Sequence, residues 1–138
     1  MMTARIPPSV PPFPPEVESA LARIMPPGIE PLTLFTTLAR DPRLFKRFLS
    51  ASLLDPGHLT LRQREIVIDR TTARCGSEYE WGIHVTVFAG DAHLDEAQVR
   101  ATVREGPNAS CWSDEDRVLI AVCDDLHDRH SIGDARWD

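Results

Sequence analysis

Residues 60–90, TLRQREIVIDRTTARCGSEYEWGIHVTVFAG, decide the fold, because they predict two helices joined by a short break. Thr60 is suited to cap the first helix, and Gln63, three residues later, is the reciprocal partner in a capping box. Cys75 and Gly76 end this helix, since glycine readily takes the left-handed backbone found at helix ends. A break this short makes the two helices neighbours in space.

The second helix is predicted to start at Ser77, which forms another capping-box pattern with Glu80, and to end near Gly90. At about 100° per residue, Glu80 and His84 fall one turn apart within an apolar arc. The apolar members of that arc are Trp81, Ile83, Val85, Val87 and Phe88. This face therefore carries a carboxylate and an imidazole toward apolar surroundings.

Glu65, on the first helix, adds a second carboxylate to this pair. The face on which it lies is predicted to include Leu61, Ile68 and Thr72. Because an unpaired buried charge is costly, such groups usually pair with each other, shift their pKa or take part in chemistry. We expect Glu65, Glu80 and His84 to converge on one pocket between the two helices.

Each of these three residues also has a purely structural interpretation. Glu80 fits the role of a capping residue, and His84 fits a core histidine that is hydrogen-bonded to Glu80. Glu65 fits an ion pair with a nearby arginine. The arginines in question are Arg62, Arg70 and Arg74.

The rest of the chain also favours helices. Capping signals and apolar spacing predict them at residues 16–24, 31–39, from 42 onward, 96–104 and 114–130, with a turn at 55–57 and a further helix start at 131–134. The side of the 114–130 helix that is predicted to be apolar contains Val118, Ala121, Val122 and Leu126. The sequence shows no strand alternation and no repeat, so we expect an all-α fold.

Residues 1–15 predict a Pro-rich arm that suits neither a helix nor a central strand. We expect this arm to be a solvated tail or a strap along a neighbouring subunit, with polyproline recognition by a partner as the alternative. Residues 16–138 are expected to form a single helical domain.

Composition excludes several classes of function. The 138 residues carry a formal net charge of −6, so neither nucleic acid nor an anionic membrane is expected as a partner. No apolar run is long enough to span a membrane, and the N-terminus lacks the apolar centre of a secretory signal. Cys75, Cys111 and Cys123 show neither disulfide nor metal spacing, which favours a reducing cytoplasm. We expect no cofactor and no metal, since His127 and His130 lack a third ligand.

Two segments and one histidine carry a resemblance to a known family. Residues 64–68, REIVI, residues 74–81, RCGSEYEW, and His84 resemble the motif of the carboxymuconolactone decarboxylase family. Alkylhydroperoxidase D-like proteins are the redox branch of that family. The resemblance covers about residues 31–137 and implies a helical bundle of the alkylhydroperoxidase D type.

The chain departs from the redox branch at the two cysteine positions. In that branch a glutamate precedes a Cys-x-x-Cys pair, and a histidine follows one turn after the second cysteine. Here Ser77 and Glu80 occupy the cysteine positions, and Glu65 occupies the glutamate position. Both redox cysteines are therefore absent.

The decarboxylase branch implies removal of a carboxylate from a small unsaturated lactone in aromatic-compound breakdown. This reaction needs a general acid that protonates carbon and a cation that holds the acid groups of the substrate. His84, tuned by Glu80 or Glu65, is the expected acid. The predicted substrate-binding residues are Arg70 and Arg74, which hold the acid groups, together with Tyr79 and Trp81, for which packing is the alternative.

Two other functions remain open. One is an antioxidant-type family member that has lost its redox cysteines, and the other is an inactive, truncated scaffold subunit. The sequence stops at Asp138 within the first turn of a predicted helix, which indicates a bundle that is shortened at its C-terminal end or completed by another subunit. The resemblance implies a homo-oligomer, a trimer or hexamer, with sites near subunit contacts.

We predict no thiol-dependent peroxidase activity, because Ser77 and Glu80 cannot form a disulfide. A peroxide-consumption assay with a dithiol reductant measures this directly. Turnover that disappeared in a Cys75→Ser variant would contradict the prediction and show that Cys75 works from an unexpected position.

Overall fold

The computed structural model describes residues 5–51 and 57–137, and within these ranges the chain is all-α. None of the helices in these ranges has the length and apolar character needed to cross a membrane. The first four residues of the Pro-rich arm, residues 55 and 56 of the predicted turn, and the final residue lie outside the described ranges. The described residues divide into two compact units, one on either side of residues 52–56.

The first unit contains three short helices. They are α1 (Pro15–Ile24), α2 (Thr33–Leu38) and α3 (Pro42–Ser50). Asp41 caps α3 by accepting a hydrogen bond from the Leu44 amide, as the Asp-Pro signal predicts. The second helix starts at Thr33 rather than at residue 31, because Leu32 has an extended backbone. The core of this unit consists of Val17, Leu21, Ala39 and Phe45.

The Pro-rich arm is bound to its own chain in this unit. The amide of Ser9 donates a hydrogen bond to the carbonyl of Thr36, and Arg40 Nη1 donates one to the carbonyl of Pro7. Phe13 packs against the core of the unit. The described part of the arm therefore has intramolecular partners, where the sequence predicts a solvated tail or an intersubunit strap.

The second unit is built around the longer helices. They are α4 (Leu61–Arg74), α5 (Glu78–Phe88), α6 (Glu96–Val103), α7 (Asp114–Arg129) and α8 (Asp134–Trp137), with a 3₁₀ turn at Gly106–Asn108. Helix α4 is central, since it packs against α5, α6 and α7. The core of the unit consists of Ile66, Ala89, Ala92, Leu94, Ala101, Trp112 and Ile120.

Both predicted ends of α4 are confirmed. Thr60 and Gln63 form a reciprocal capping box. At the other end, Gly76 has a φ of +68°, and the Ser77 amide donates a hydrogen bond back to the Thr72 carbonyl. This Schellman-type end reverses the chain within two residues and places α5 beside α4.

The predicted capping box at the start of α5 is wrong. Ser77 is the N-cap residue, but its side chain makes no capping hydrogen bond. Its ψ is 74°, whereas Thr60 at the start of α4 has the extended ψ of 162° that lets a hydroxyl reach back to the first turn. Because Ser77 directly follows the left-handed Gly76, its backbone is committed to the chain reversal. Glu80 is therefore not held by a cap.

Helices α4 and α7 run parallel, side by side. Arg62 pairs with Asp116, Arg70 with Asp124, and Arg74 with Asp128. Each of these contacts joins residues that are 54 positions apart, so the two helices advance in the same direction and in register. This arginine–aspartate ladder is the main polar contact between them.

The predicted apolar side of α7 is wrong. Val118 and Leu126 are exposed, and of the predicted side only Ala121 is buried. The buried face instead contains Asp116, Ile120, Cys123 and Asp125. The rotation has a physical cause, because the aspartates of α7 turn toward the arginines of α4 and Asp125 binds Arg129 and Arg136.

Arg70 is the most enclosed rung of the ladder. Its Nε and Nη2 atoms bind the two carboxylate oxygens of Asp124 at 2.7 and 2.8 Å, and its Nη1 donates to the Thr102 carbonyl at 2.8 Å. Gly106 packs against the guanidinium so closely that a Cβ there would lie 2.6 Å from Nη2. The φ of +57° at Gly106 independently favours glycine.

We predict that Asp124→Asn lowers the free energy of unfolding by about 3 kcal/mol, because it leaves the buried Arg70 charge without its carboxylate. Asp128→Asn is the matched control on the same helix. The Asp128 side chain is 54% exposed against 20% for Asp124, so its loss is expected to cost less than about 1 kcal/mol. Urea denaturation of both variants measures the difference, and equal losses would contradict the assigned role of Arg70.

Candidate functional site

The structure brings Glu65 of α4 and His84 of α5 into direct contact. His84 Nδ1 lies 2.8 Å from Glu65 Oε2. The other oxygen of Glu65 accepts a hydrogen bond of 2.8 Å from Arg64 Nε. The Glu65 side chain is only 1% exposed, so the pair lies at the interface between the two helices. The arginine that pairs with Glu65 is Arg64, the adjacent residue. It is not one of the three that the sequence analysis gives as candidates, Arg62, Arg70 and Arg74.

The hydrogen bond to Glu65 determines how His84 can act. A carboxylate can only accept, so the Nδ1 atom carries the proton in this contact. When the ring is neutral, Nε2 is then the free acceptor, and when the ring is charged, Nε2 is a donor. The structure gives Nε2 no hydrogen-bond partner among the described residues, and the side chain remains 13% exposed. Glu65 thus orients an imidazole whose second nitrogen is open to a small molecule.

Phe88 forms an apolar wall beside this contact. Its ring centroid lies 5.4 Å from that of His84, and the guanidinium carbon of Arg64 lies 5.5 Å from the Phe88 centroid. Phe88 lies one turn after His84 on α5. An apolar wall lowers the local dielectric constant and therefore strengthens the interaction between Glu65 and His84.

Asp69 is a functional candidate that the sequence reasoning missed. Its side chain is almost fully buried, and neither carboxylate oxygen has a hydrogen-bond partner among the described residues. Burial, together with the negative charge of Glu65, raises the pKa of Asp69 to about 7, and the charge of His84 partly opposes this. The cluster therefore contains a second carboxyl group that holds a proton near neutral pH.

A signal for Asp69 exists in the sequence, since it lies four residues after Glu65 and hence on the same side of a helix. The face predicted for Glu65 is rotated from the observed one, because Leu61 is exposed while Ile66 and Asp69 are buried. The spacing between two carboxylates was a better guide here than the apolar residues.

The other predicted site residues lie apart from the Glu65–His84 contact or have other partners. Glu80 is half-buried, and its side chain makes no hydrogen bond or ion pair with any described residue. Tyr79 is exposed. Trp81 donates a hydrogen bond of 3.0 Å from its indole nitrogen to Thr102 Oγ1 on α6.

Arg70 and Arg74 are occupied by the ladder between α4 and α7. Asp124 accepts two hydrogen bonds from the Nε–Nη2 edge of the Arg70 guanidinium, and Arg74 pairs with Asp128. Arg64 is instead the arginine that contacts the cluster. Positive charge beside His84 therefore comes from a residue that the sequence reasoning did not consider.

The three cysteines do not form a redox pair. All are free thiols, with Cys75 exposed and Cys123 buried. Burial raises the pKa of the Cys111 and Cys123 thiols, which disfavours their nucleophilic thiolate forms. The part of the chain that the structure describes also contains no group of three or more His, Cys, Asp or Glu side chains suited to hold a metal ion.

We predict that Asp69→Asn stabilises the protein, and more so at higher pH. An acid whose pKa is higher in the folded state binds more protons when folded, so the protein loses stability as pH rises from the ordinary pKa of 3.8 to about 7. Asparagine resembles the protonated form at every pH. The variant is expected to gain roughly 2–4 kcal/mol at pH 8 and distinctly less at pH 5.

Chemical denaturation at the two pH values checks this prediction. The control is Asp125→Asn, which removes another buried carboxyl, one that binds Arg129 and Arg136, and should therefore destabilise at both pH values. Equal stability of the wild type and the Asp69→Asn variant at pH 8 would show that Asp69 has a partner in solution.

Comparisons of the chain with models of protein families, with curated proteins and with solved structures found no significant match. The chemistry of the residues themselves is therefore the basis for a functional assignment. Among the described residues, the contact between Glu65 and His84, with Asp69 nearby, is where a histidine meets buried carboxyl groups in the second unit.

Proposed function

We propose that this chain is a carboxymuconolactone decarboxylase-like protein that uses acid–base chemistry to decarboxylate a small lactone or a related carboxylic acid. His84 is the general acid, and Glu65 orients it. The observation that carries the proposal is the hydrogen bond of 2.8 Å between His84 Nδ1 and the buried Glu65 carboxylate. The motif around these residues supports the family assignment, and the all-α fold is compatible with it.

The proposed reaction starts with a substrate carboxylate next to an unsaturated ring. As the bond to the carboxylate carbon breaks, carbon dioxide leaves and the electron pair passes into the unsaturated system. His84 Nε2 then delivers its proton to the carbon that receives this pair. Glu65 stabilises the charged imidazole before the transfer, and solvent restores the proton afterwards.

Arg64 is a better candidate than Arg70 or Arg74 for the charge that faces the substrate. It contacts Glu65 and Phe88, both of which contact His84, whereas Arg70 and Arg74 are bound by aspartates of α7. Glu80, which makes no hydrogen bond or ion pair with a described residue, stays in the proposal as a second carboxylate that tunes His84. It lies one turn before His84 on the same helix.

We further propose that the protein acts on a small molecule in the cytoplasm and assembles as a homo-oligomer, a trimer or hexamer. Three free cysteines support a reducing compartment. Exposed apolar side chains support assembly, because such surface is usually covered in a stable protein. Examples in the second unit are Val118 and Leu126 on α7, Val87 on α5, and Trp137 on α8.

Two alternatives from other classes compete with this proposal. One is an inactive scaffold subunit, in which the Glu65–His84 hydrogen bond only joins α4 to α5. The other is a peroxidase-like relative that has lost its redox cysteines. The 13% exposure of the His84 side chain favours an enzyme, since a substrate has to reach the group that protonates it.

We predict that His84→Asn lowers the rate of carbon dioxide release from an unsaturated lactone acid by about 10²–10⁴-fold, because asparagine can keep the contact with Glu65 but cannot transfer a proton. Glu65→Gln is expected to cost about 10–100-fold, since it disturbs the orientation of the imidazole. Release of carbon dioxide is measured for each purified variant, with circular dichroism as the check of folding.

His93→Asn is the matched control for the loss of an imidazole. His93 is exposed and has a φ of +54°, a backbone that asparagine tolerates well. It should keep full activity. Unchanged turnover in His84→Asn refutes the assignment, and a wild-type protein without turnover on any lactone acid favours the scaffold alternative.

A further inference from the structure

A groove of about 590 Å³ lies in the second unit, outside the contact between Glu65 and His84. It is bounded by the end of α4, the start of α5 and one side of α6. Its volume falls within the range of about 300–1,000 Å³ that is usual for small-molecule sites. Neither Glu65 nor His84 lines it.

The floor of the groove is apolar and held in place. Ala73, Trp81, Val99 and Val103 line it. The indole of Trp81 is fixed by its hydrogen bond to Thr102 Oγ1, and Thr102 in turn donates to the Val99 carbonyl at 2.7 Å. A ring that is already positioned loses little conformational freedom when a ligand stacks on it.

The rim of the groove carries two arginines without partners. Arg100 and Arg104 lie four residues apart, both are exposed, and neither has a hydrogen bond or an ion pair with a described side chain. Every other arginine among residues 57–137 donates to a carboxylate or to a backbone carbonyl. Within the described part of this unit, Arg100 and Arg104 are therefore the arginines whose guanidinium groups have no such partner, although the chain is acidic. Both border the groove.

Two carboxylates narrow the choice of ligand. Glu78, at the start of α5, and Glu96, at the start of α6, also border the groove. They repel a ligand that carries negative charge along its whole length, such as a polyphosphate or a nucleic acid strand. A ligand with one acidic group and an uncharged body avoids this repulsion, since the acid can stay near the arginines while the body covers the apolar floor.

We propose that this groove binds a small monocarboxylic acid with an apolar ring, with the carboxylate on Arg100 and Arg104 and the ring on Trp81, Val99 and Val103. Paired guanidinium groups suit a carboxylate because they offer several parallel N–H donors. The site does not depend on the proposed reaction at His84, because none of its residues takes part in that chemistry.

The experiment titrates the full chain with cyclohexanecarboxylate and with its neutral analogue cyclohexanecarboxamide at low ionic strength. Calorimetry gives the affinity, and tryptophan fluorescence gives the location, since neither probe absorbs at the tryptophan wavelength. We expect the carboxylate to bind at least about 10-fold more tightly than the amide. The fluorescence change should disappear in Trp81→Phe and persist in Trp137→Phe.

The charge neutralisation test uses a double variant, Arg100→Gln with Arg104→Gln, which should weaken carboxylate binding by at least about 10-fold. Arg43→Gln with Arg47→Gln is the matched control, since these arginines are exposed on α3 and are also four residues apart. Equal weakening in the control, equal affinity for the two probes, or no carboxylate binding up to about 10 mM overturns the proposal. The His84→Asn variant separates this site from the proposed reaction. It should still bind the carboxylate, whether or not the wild-type protein turns over a lactone acid.

Discussion

The Arg70–Asp124 pair fixes the arrangement of the second unit, because it joins four elements through one guanidinium. Arg70 lies on α4, and its carboxylate partner lies on α7. The guanidinium also donates to the Thr102 carbonyl on α6 and packs closely against Gly106 in the 3₁₀ turn. A planar group with donors on several edges can satisfy all these contacts at once, which a lysine cannot. Rotation of α4 about its own axis would break them together. In the folded unit, the contacts of Arg70 therefore hold the rotation of α4, and with it the Glu65 side chain that contacts His84 on α5.

Much of the fold is predictable because helix ends are local. The caps at Thr60, Asp41, Asp95 and Ser113 each involve residues three positions apart, since each side chain accepts a hydrogen bond from the backbone amide three residues later. The exception at Ser77 is also local, but it depends on the backbone angles set by the preceding Gly76. A pattern of residue types does not contain that information.

The candidate site is only partly predictable for a related reason. Helical spacing and the short break between the helices predict that Glu65 and His84 lie on facing sides of adjacent helices. The partners of the buried charges do not follow, since Arg70 and Arg74 bind residues that are 54 positions away on α7. Likewise, the buried face of α7 combines aspartates with Ile120 and Cys123, a rotation that apolar periodicity alone does not predict. Where charged groups decide the packing, hydrophobic patterns lose their predictive value.

The parallel arrangement of α4 and α7 also bears on the order in which the chain folds. Parallel neighbours cannot be joined by a tight turn, so the ladder can form only after α5, α6 and the turn at Gly106–Asn108 have brought the chain back to its starting end. Closing such a long loop costs more chain entropy than forming the α4–α5 reversal, where only a few residues separate the helices. The contact between Glu65 and His84 joins residues 19 positions apart and so closes a much shorter loop than any pair of the ladder. The chemistry of the site can thus be assembled before the ladder makes the surrounding unit rigid.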